Sequence, residues 1–129
     1  LAAAMARGHP ELKIVIEHIG TPISTADEYF SNWKTGMQTL ANEPNIYCKL
    51  SGVGMLDPKF TESSIRPWIE YCISIFGPER CMLGSNWPLD RLFSSYDAVF
   101  HIYRKIISQY SASEQISISS LTAEKFYKI

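Results

Sequence analysis

Three short apolar segments, each ending in a polar corner, constrain the fold of this chain more than any other feature. They cover residues 13–18, 46–51 and 80–85, and each is followed by a segment whose apolar residues recur at helical spacing. Alternation of strands and helices predicts parallel strands joined by right-handed crossovers. In such α/β proteins, polar side chains at the carboxyl ends of the strands form the functional edge of the sheet.

The helices are predicted between and after these strands. Apolar residues at helical spacing predict helices over 62–76 and 95–110, and Thr25-Ala26-Asp27-Glu28 has the sequence of a capping box that opens an earlier helix. A second capping box, Ser111-Ala112-Ser113-Glu114, opens the last helix. Within that last segment, Ile116-Ser117-Ile118-Ser119 alternates as a strand does, so helix and strand both remain open there.

The length of the chain limits what three strands can build. A closed barrel needs eight strands and ~250 residues, whereas this chain has 129. The sequence therefore predicts either a small open sheet or about half of a barrel, as one domain over residues 1–129. The chain begins with Leu1 rather than Met, and residues 1–7 resemble the end of a helix that starts outside it.

Composition excludes several classes of partner. A formal net charge of -1 gives little electrostatic attraction to nucleic acid or to an anionic membrane, and no apolar run approaches the ~20 residues that span a bilayer. Cys48, Cys72 and Cys81 form no closely spaced pair. That pattern predicts reduced, buried thiols in a cytoplasmic protein instead of disulfides or a metal site.

Several segments that span nearly the whole chain carry a family resemblance. In chain order they are His9-Pro10, Glu17-His18-Ile19-Gly20-Thr21-Pro22, Gly36-Met37, Lys49-Leu50-Ser51-Gly52, Ile65-Arg66-Pro67-Trp68, Phe76-Gly77-Pro78-Glu79-Arg80 and Gly84-Ser85-Asn86-Trp87-Pro88-Leu89-Asp90. In this order they resemble the C-terminal half of the amidohydrolase-related (amidohydrolase 2) TIM-barrel family, which includes metal-dependent hydrolases, lactonases and decarboxylases. The resemblance implies an α/β fold, a partial (β/α)8 barrel that lacks the first strands and their His-x-His motif.

His18 is the first candidate for a site residue. It ends a predicted strand, and the following Ile19-Gly20 allows the backbone to turn away and leave the imidazole at the edge of the sheet. Neutral imidazole is a common ligand of Zn²⁺, and the resemblance places a metal-binding or substrate-facing histidine here. We therefore predict a catalytic or metal-binding role for His18, against the alternative of a structural histidine. His9 and His101 are predicted to lie on the surface.

Asn86 is the second candidate. Family members often carry Asp at the matching position, where the carboxylate binds metal or acts as the general base. An amide does neither well, although it can hydrogen-bond a substrate oxygen or a bound water. Asn86 thus weakens the expectation of a divalent metal such as Zn²⁺, and three interpretations stay open: altered hydrolase chemistry, an inactive relative, or a structural corner. Asp90 and Arg91 are predicted to form a local charge pair.

Four further residues are candidates for substrate binding. Lys49 and Ser51 lie at the end of the second strand, and an inward-pointing Lys49 could hold a carboxylate or carbonyl oxygen. Arg66, early in its helix, could clamp an anionic substrate or form a surface ion pair. Trp87 could line the pocket or pack its rim.

These residues and the resemblance together predict a hydrolase. Its substrate would be a small, anionic molecule with a lactone or C–N bond, attacked by water that a divalent metal or a protein base activates. The alternative is a non-catalytic, truncated or degenerate barrel that acts only by association. The open strand edges of half a barrel also predict that the isolated chain is inactive and that copies of it associate as a homo-oligomer.

Overall fold

The three predicted strands form one parallel sheet in chain order. The computed structural model describes residues 1–129. The strands are β1 (Ile14–Ile16), β2 (Ile46–Leu50) and β3 (Cys81–Leu83), and Cys48 on β2 lies opposite Cys81 on β3. Each strand ends before the predicted boundary, since the backbone leaves the extended conformation as soon as it reaches the polar corner.

Six helices surround and follow the sheet. They are α1 (Ala2–Gly8), α2 (Asp27–Ala41), α3 (Glu62–Phe76), α4 (Tyr96–Ile107), α5 (Ala112–Ile116) and α6 (Thr122–Tyr127). The predicted span of α3 is confirmed, while α4 is shorter at both ends than predicted. A π-helical stretch, Ser117–Leu121, joins α5 to α6, so the segment that alternates as a strand does is helical. No helix has both the length and the apolar character needed to cross a membrane.

One of the two predicted capping boxes is present. Ser111 accepts from the amide of Glu114, and the Glu114 carboxylate accepts from the amide of Ser111 in return. The box predicted at Thr25 is wrong, because α2 begins one residue later, with Ala26 as its N-cap. The hydroxyl of Ser24 accepts from the amide of Ala26 at 3.2 Å, and no side chain caps the first turn of α2.

The core lies between the sheet and helices α2 and α3. The alternate residues Ile46, Cys48 and Leu50 of β2 are completely buried, as period-two alternation requires. Trp33 of α2 and Trp68 of α3 pack with their ring centroids 4.6 Å apart. The three cysteines are buried, as predicted, and their thiols are free.

The opposite face of β2 is covered by the end of the chain. The rings of Tyr47 and Phe126 lie 5.0 Å apart edge to face, and the ammonium of Lys49 lies 5.3 Å from the centroid of the Tyr127 ring. The second face of the sheet is therefore partly covered by α6, which reduces the apolar surface that half a barrel would leave open.

The amino ends of the strands are held by one guanidinium. Arg80 donates to the carbonyl oxygens of Ala41, Glu43, Ile46 and Phe76 at distances of 2.9 to 3.2 Å. These acceptors come from the ends of α2 and α3 and from the start of β2. A single cation thus satisfies backbone carbonyls that the helix ends leave without partners.

Candidate functional site

A cavity of about 320 Å³ lies at the carboxyl ends of the three strands. It is lined by residues from all three strand ends and from α6: Glu17, His18, Lys49, Ser51, Met82, Leu83, Gly84, Ser85, Asn86, Trp87, Ala123 and Tyr127. Five of the six predicted site residues, all but Arg66, line it. Parallel pairing produces this result, because it brings the ends of all three strands to the same edge.

His18 reaches the cavity through an unusual backbone turn. Residues 18–21 all have positive φ, from 49° at Ile19 to 74° at Gly20. A left-handed conformation costs roughly 1–2 kcal/mol for each residue other than glycine. Tertiary contacts hold this turn: the Ile19 side chain is completely buried, and the indole nitrogen of Trp33 donates to the Ile19 carbonyl at 2.8 Å.

The imidazole of His18 is held on two sides. Its Nδ1 lies 2.7 Å from Oγ of Ser51, and Ser51 is only 1% exposed. A Cβ atom at Gly52 would lie 2.6 Å from Cγ of His18, so only glycine leaves room for the ring in this place. These contacts leave Nε2 as the ring nitrogen available to the cavity.

Asn86 is fixed by a carboxylate four residues further on. Its φ is 53°, a conformation that asparagine tolerates better than most residues, and its Nδ2 donates to Oδ1 of Asp90 at 2.9 Å. Asp90 is completely buried. Burial raises the pKa of Asp90, and the hydrogen bond from Asn86 opposes that rise.

The predicted charge pair between Asp90 and Arg91 is therefore wrong. Arg91 is exposed and Asp90 is turned inward, where its carboxylate contacts Asn86. Sequence reasoning missed Asp90 as part of the site. The available signal was its position four residues after Asn86, close enough for a tight turn to bring the two side chains together; in that turn the Asp90 amide donates to the Asn86 carbonyl at 3.2 Å.

Lys49 points into the cavity with its charge already paired. Its ammonium lies 2.7 Å from a carboxylate oxygen of Glu17. Partial burial lowers the pKa of Lys49, but the hydrogen bonds to Glu17 and Tyr127 outweigh it, and the pKa is raised. Lys49 is thus a cation that another residue of the same cavity neutralises.

Arg66 does not belong to this site. It lies on the outer side of α3, where its guanidinium donates to Glu62 at 3.1 Å and to Glu70 at 2.7 Å. The i,i+4 spacing of these three residues directs all of them along one helix face. The predicted role of Arg66 in substrate binding is replaced by the surface ion pair, and Trp87, 38% exposed, remains at the rim.

The donors of this chain do not make a metal site by themselves. No group of three or more histidine, cysteine, aspartate or glutamate side chains is arranged to hold an ion. The cavity offers the imidazole of His18 and the neutral amide of Asn86, whereas catalytic zinc takes three protein ligands. The carboxylates of Glu17 and Asp90 are engaged with Lys49 and Asn86.

A family model described as amidohydrolase matches residues 1–129. This chain belongs to the amidohydrolase family. The family and fold predicted from the sequence are confirmed, and the three parallel strands with their helices form part of the α/β barrel of that family.

Three relatives illustrate the similarity. The uncharacterized protein y4mH of Sinorhizobium fredii is 40% identical over 97% of this chain, and an L-fucono-1,5-lactonase of Burkholderia ambifaria is 36% identical over 74% of it. A crystal structure of an amidohydrolase from Burkholderia multivorans with bound zinc covers 99% of the chain at 30% identity and a TM-score of 0.90. The chain spans 42%, 34% and 48% of these relatives, less than half of each.

Proposed function

We propose that the protein containing this chain is a hydrolase that opens a small, neutral, hydroxyl-rich lactone with water. The observation that carries the proposal is the pairing of an oriented imidazole, His18 held by Ser51, with an oriented amide, Asn86 held by Asp90, in one cavity at the strand ends. The similarity to an L-fucono-1,5-lactonase supports a lactone in preference to a C–N bond.

The charges around the cavity favour a neutral substrate over the anionic one expected from the sequence. Two cations supported that expectation, and neither is available. Lys49 is neutralised by Glu17, and Arg66 lies on the outer side of α3 with two glutamates. An anionic group entering the cavity would meet Glu17 and the buried charge of Asp90 without a free cation to offset them.

The proposed mechanism uses His18 as the base. With Nδ1–H donated to Oγ of Ser51, Nε2 carries the lone pair and accepts a proton from water as the water oxygen bonds to the lactone carbonyl carbon. When the ring C–O bond breaks, the same proton passes from Nε2 to the departing alkoxide oxygen, which becomes the hydroxyl of the product acid. Asn86 fixes the water or a substrate hydroxyl by a hydrogen bond.

The test is hydrolysis of L-fucono-1,5-lactone and related sugar lactones by the full-length protein, with His18→Gln as the variant. Loss of a general base lowers kcat by about 10²–10⁴-fold. The matched control is His101→Gln, because His101 is exposed on α4 and its replacement should leave kcat unchanged. Metal content is measured by elemental analysis in parallel.

Two results would overturn the proposal. One is a folded full-length protein that hydrolyses no lactone, which would favour the non-catalytic alternative. The other is a His18→Gln variant that keeps the wild-type kcat, which would remove His18 from the chemistry.

A further inference from the structure

The carboxylate of Asp90 has a single hydrogen-bond partner among the side chains, and that partner is Asn86. Its second oxygen, Oδ2, has none, and neither does the nearby hydroxyl of Tyr103, which is buried as completely as Asp90. A carboxylate removed from water destabilises the folded protein unless other groups stabilise its charge. This destabilising carboxylate contacts Asn86, which lines the cavity. Its position suggests that it acts on the cavity through Asn86.

The contact between the two side chains fixes which end of the Asn86 amide faces the cavity. An ionised carboxylate only accepts hydrogen bonds, so the atom of Asn86 that faces Asp90 must be the Nδ2 nitrogen. The carbonyl oxygen Oδ1 lies at the other end of the planar amide. Asn86 therefore offers the cavity an acceptor, although asparagine by itself can either donate or accept.

The backbone reinforces this arrangement. Asn86 has a left-handed conformation, and the turn that follows is closed by the amide of Asp90 donating to the carbonyl of Asn86 at 3.2 Å. The carbonyl of Asp90 in turn accepts from the amides of Phe93 and Ser94 at 3.0 and 2.9 Å. The two side chains are thus held on a turn with little freedom to separate.

We propose that Asp90 is a positioning residue that determines specificity: by holding the Asn86 nitrogen, it makes Asn86 accept a hydrogen bond from a substrate hydroxyl. This inference rests on the proposed function, since it names the group that a lactonase site would select. The cavity at this point should prefer a hydroxyl hydrogen and disfavour a carbonyl, ether or carboxylate oxygen, which would face Oδ1 without a hydrogen between them.

The test compares L-fucono-1,5-lactone with its monodeoxy analogues, using the full-length wild type and Asp90→Asn. One hydrogen bond is worth about 0.5–1.5 kcal/mol, so removal of the recognised hydroxyl should lower wild-type kcat/KM by about 2- to 13-fold for one analogue. An amide at position 90 can donate as well as accept. The side chain of Asn86 can then face it with either its nitrogen or its oxygen. In Asp90→Asn the preference for that hydroxyl should fall to less than half its wild-type value.

Two further proteins separate positioning from a structural effect. Asp97→Asn removes an exposed carboxylate in the first turn of α4 and should keep the full preference. The exchanged pair Asn86→Asp with Asp90→Asn again places an acceptor toward the cavity, because an amide at position 90 donates to a carboxylate at position 86. This double variant should recover the preference that Asp90→Asn loses. Asp90→Asn with an unchanged preference would overturn the proposal.

A readout without substrate keeps this test separate from that of the proposed function. In ¹H–¹⁵N spectra, the side-chain amide resonances of Asn86 should shift in Asp90→Asn and stay in place in Asp97→Asn. If the wild type hydrolyses no lactone, the proposed function fails, while the shift still supports the orienting contact. Resonances of Asn86 that are the same in wild type and Asp90→Asn would overturn the role of Asp90, whatever the activity.

Discussion

Two asparagines at opposite ends of the sheet show how differently the two ends are built. Asn45, directly before β2, places Nδ2 within 2.9 to 3.0 Å of the carbonyls of Ala6, His9 and Leu12. Asn86, shortly after β3, donates a hydrogen bond from Nδ2 to the buried carboxylate of Asp90. The first amide joins α1 and the following turn to the sheet, whereas the second is held in place beside a cavity.

Other polar groups at the two ends of the sheet differ in the same way. At the amino ends, Arg80 satisfies four backbone carbonyls. At the carboxyl ends, residues 18–21 have left-handed backbone, and one oxygen of Asp90 has no partner. Polar groups at the amino end stabilise the fold, while the carboxyl end keeps conformations and charges that reduce stability. Such concentrations of strain are characteristic of functional sites.

Among these variants the largest effect on activity is expected from Gly52→Ala, which places a methyl group where the His18 ring lies. The new Cβ would come within 2.6 Å of Cγ of His18, at a residue with φ of 66°. We expect a loss of about 1–3 kcal/mol in the free energy of unfolding and, with a displaced base, a loss of roughly 10²-fold in kcat.

The control for that change is Gly36→Ala. Gly36 lies within α2 with nothing close to the new Cβ, so this variant should gain about 0.5–1 kcal/mol and keep its kcat. Urea unfolding and steady-state kinetics measure both quantities. A Gly52→Ala protein with unchanged kcat would show that His18 is not held by this contact.

A substitution at the amino ends of the strands should change stability without changing activity. Arg80→Leu leaves several carbonyls without a donor, and we expect it to lower the free energy of unfolding by about 2–4 kcal/mol with KM unchanged under conditions where the protein is folded. Arg104→Leu, an exposed position in the last turn of α4, should change stability by less than ~0.5 kcal/mol. A raised KM in Arg80→Leu would contradict the division between the two ends.

The two asparagines provide the most direct test of the comparison. Asn45→Ala removes an amide that donates to three backbone carbonyls, and Asn86→Ala removes one that donates to a buried carboxylate, so each should lose about 1–2 kcal/mol of stability. Only Asn86→Ala should alter kcat or KM for a lactone. Equal kinetic effects of the two changes would mean that Asn86 is a structural corner.

The smallest effect is a dependence of stability on pH. Because the pKa of Asp90 is raised in the folded protein, the folded state binds this proton more tightly than the unfolded state does. Asp90 therefore destabilises the protein progressively as pH rises from its ordinary value of 3.8 through the raised value. Asp90→Asn should remove this decline, measured by urea unfolding at increasing pH from 3.8 upward.

The pKa of Asp57 is shifted in the opposite direction from that of Asp90, so its effect on stability has the opposite dependence on pH. The hydrogen bond from Ser64 lowers the pKa of Asp57, so its stabilising contribution is present above 3.8 and is lost as pH falls below it. Asp57→Asn should therefore flatten the acid side of the stability profile. A profile that changes in the same direction in both variants would contradict the assigned environment of Asp90.

The sequence by itself determined the order of strands and helices and the edge at which the polar residues gather. The short apolar segment of β2 and the apolar spacing of α3 are local properties, and they predicted both elements closely. Parallel pairing then required His18, Ser51 and Asn86 to lie at one edge, whatever the details of packing. The family resemblance added the barrel to this local information.

The partners of the charged side chains at the cavity were decided by the tertiary structure. Lys49 and Glu17 are 32 residues apart in the chain, and no local pattern shows that they neutralise each other. Asp90 is next to Arg91 in sequence, yet burial turns its carboxylate toward Asn86. Arg66 pairs along its own helix because α3 directs it outward. Hydrophobic periodicity is set by neighbouring residues, whereas the environment of a charge depends on which distant surfaces exclude water around it.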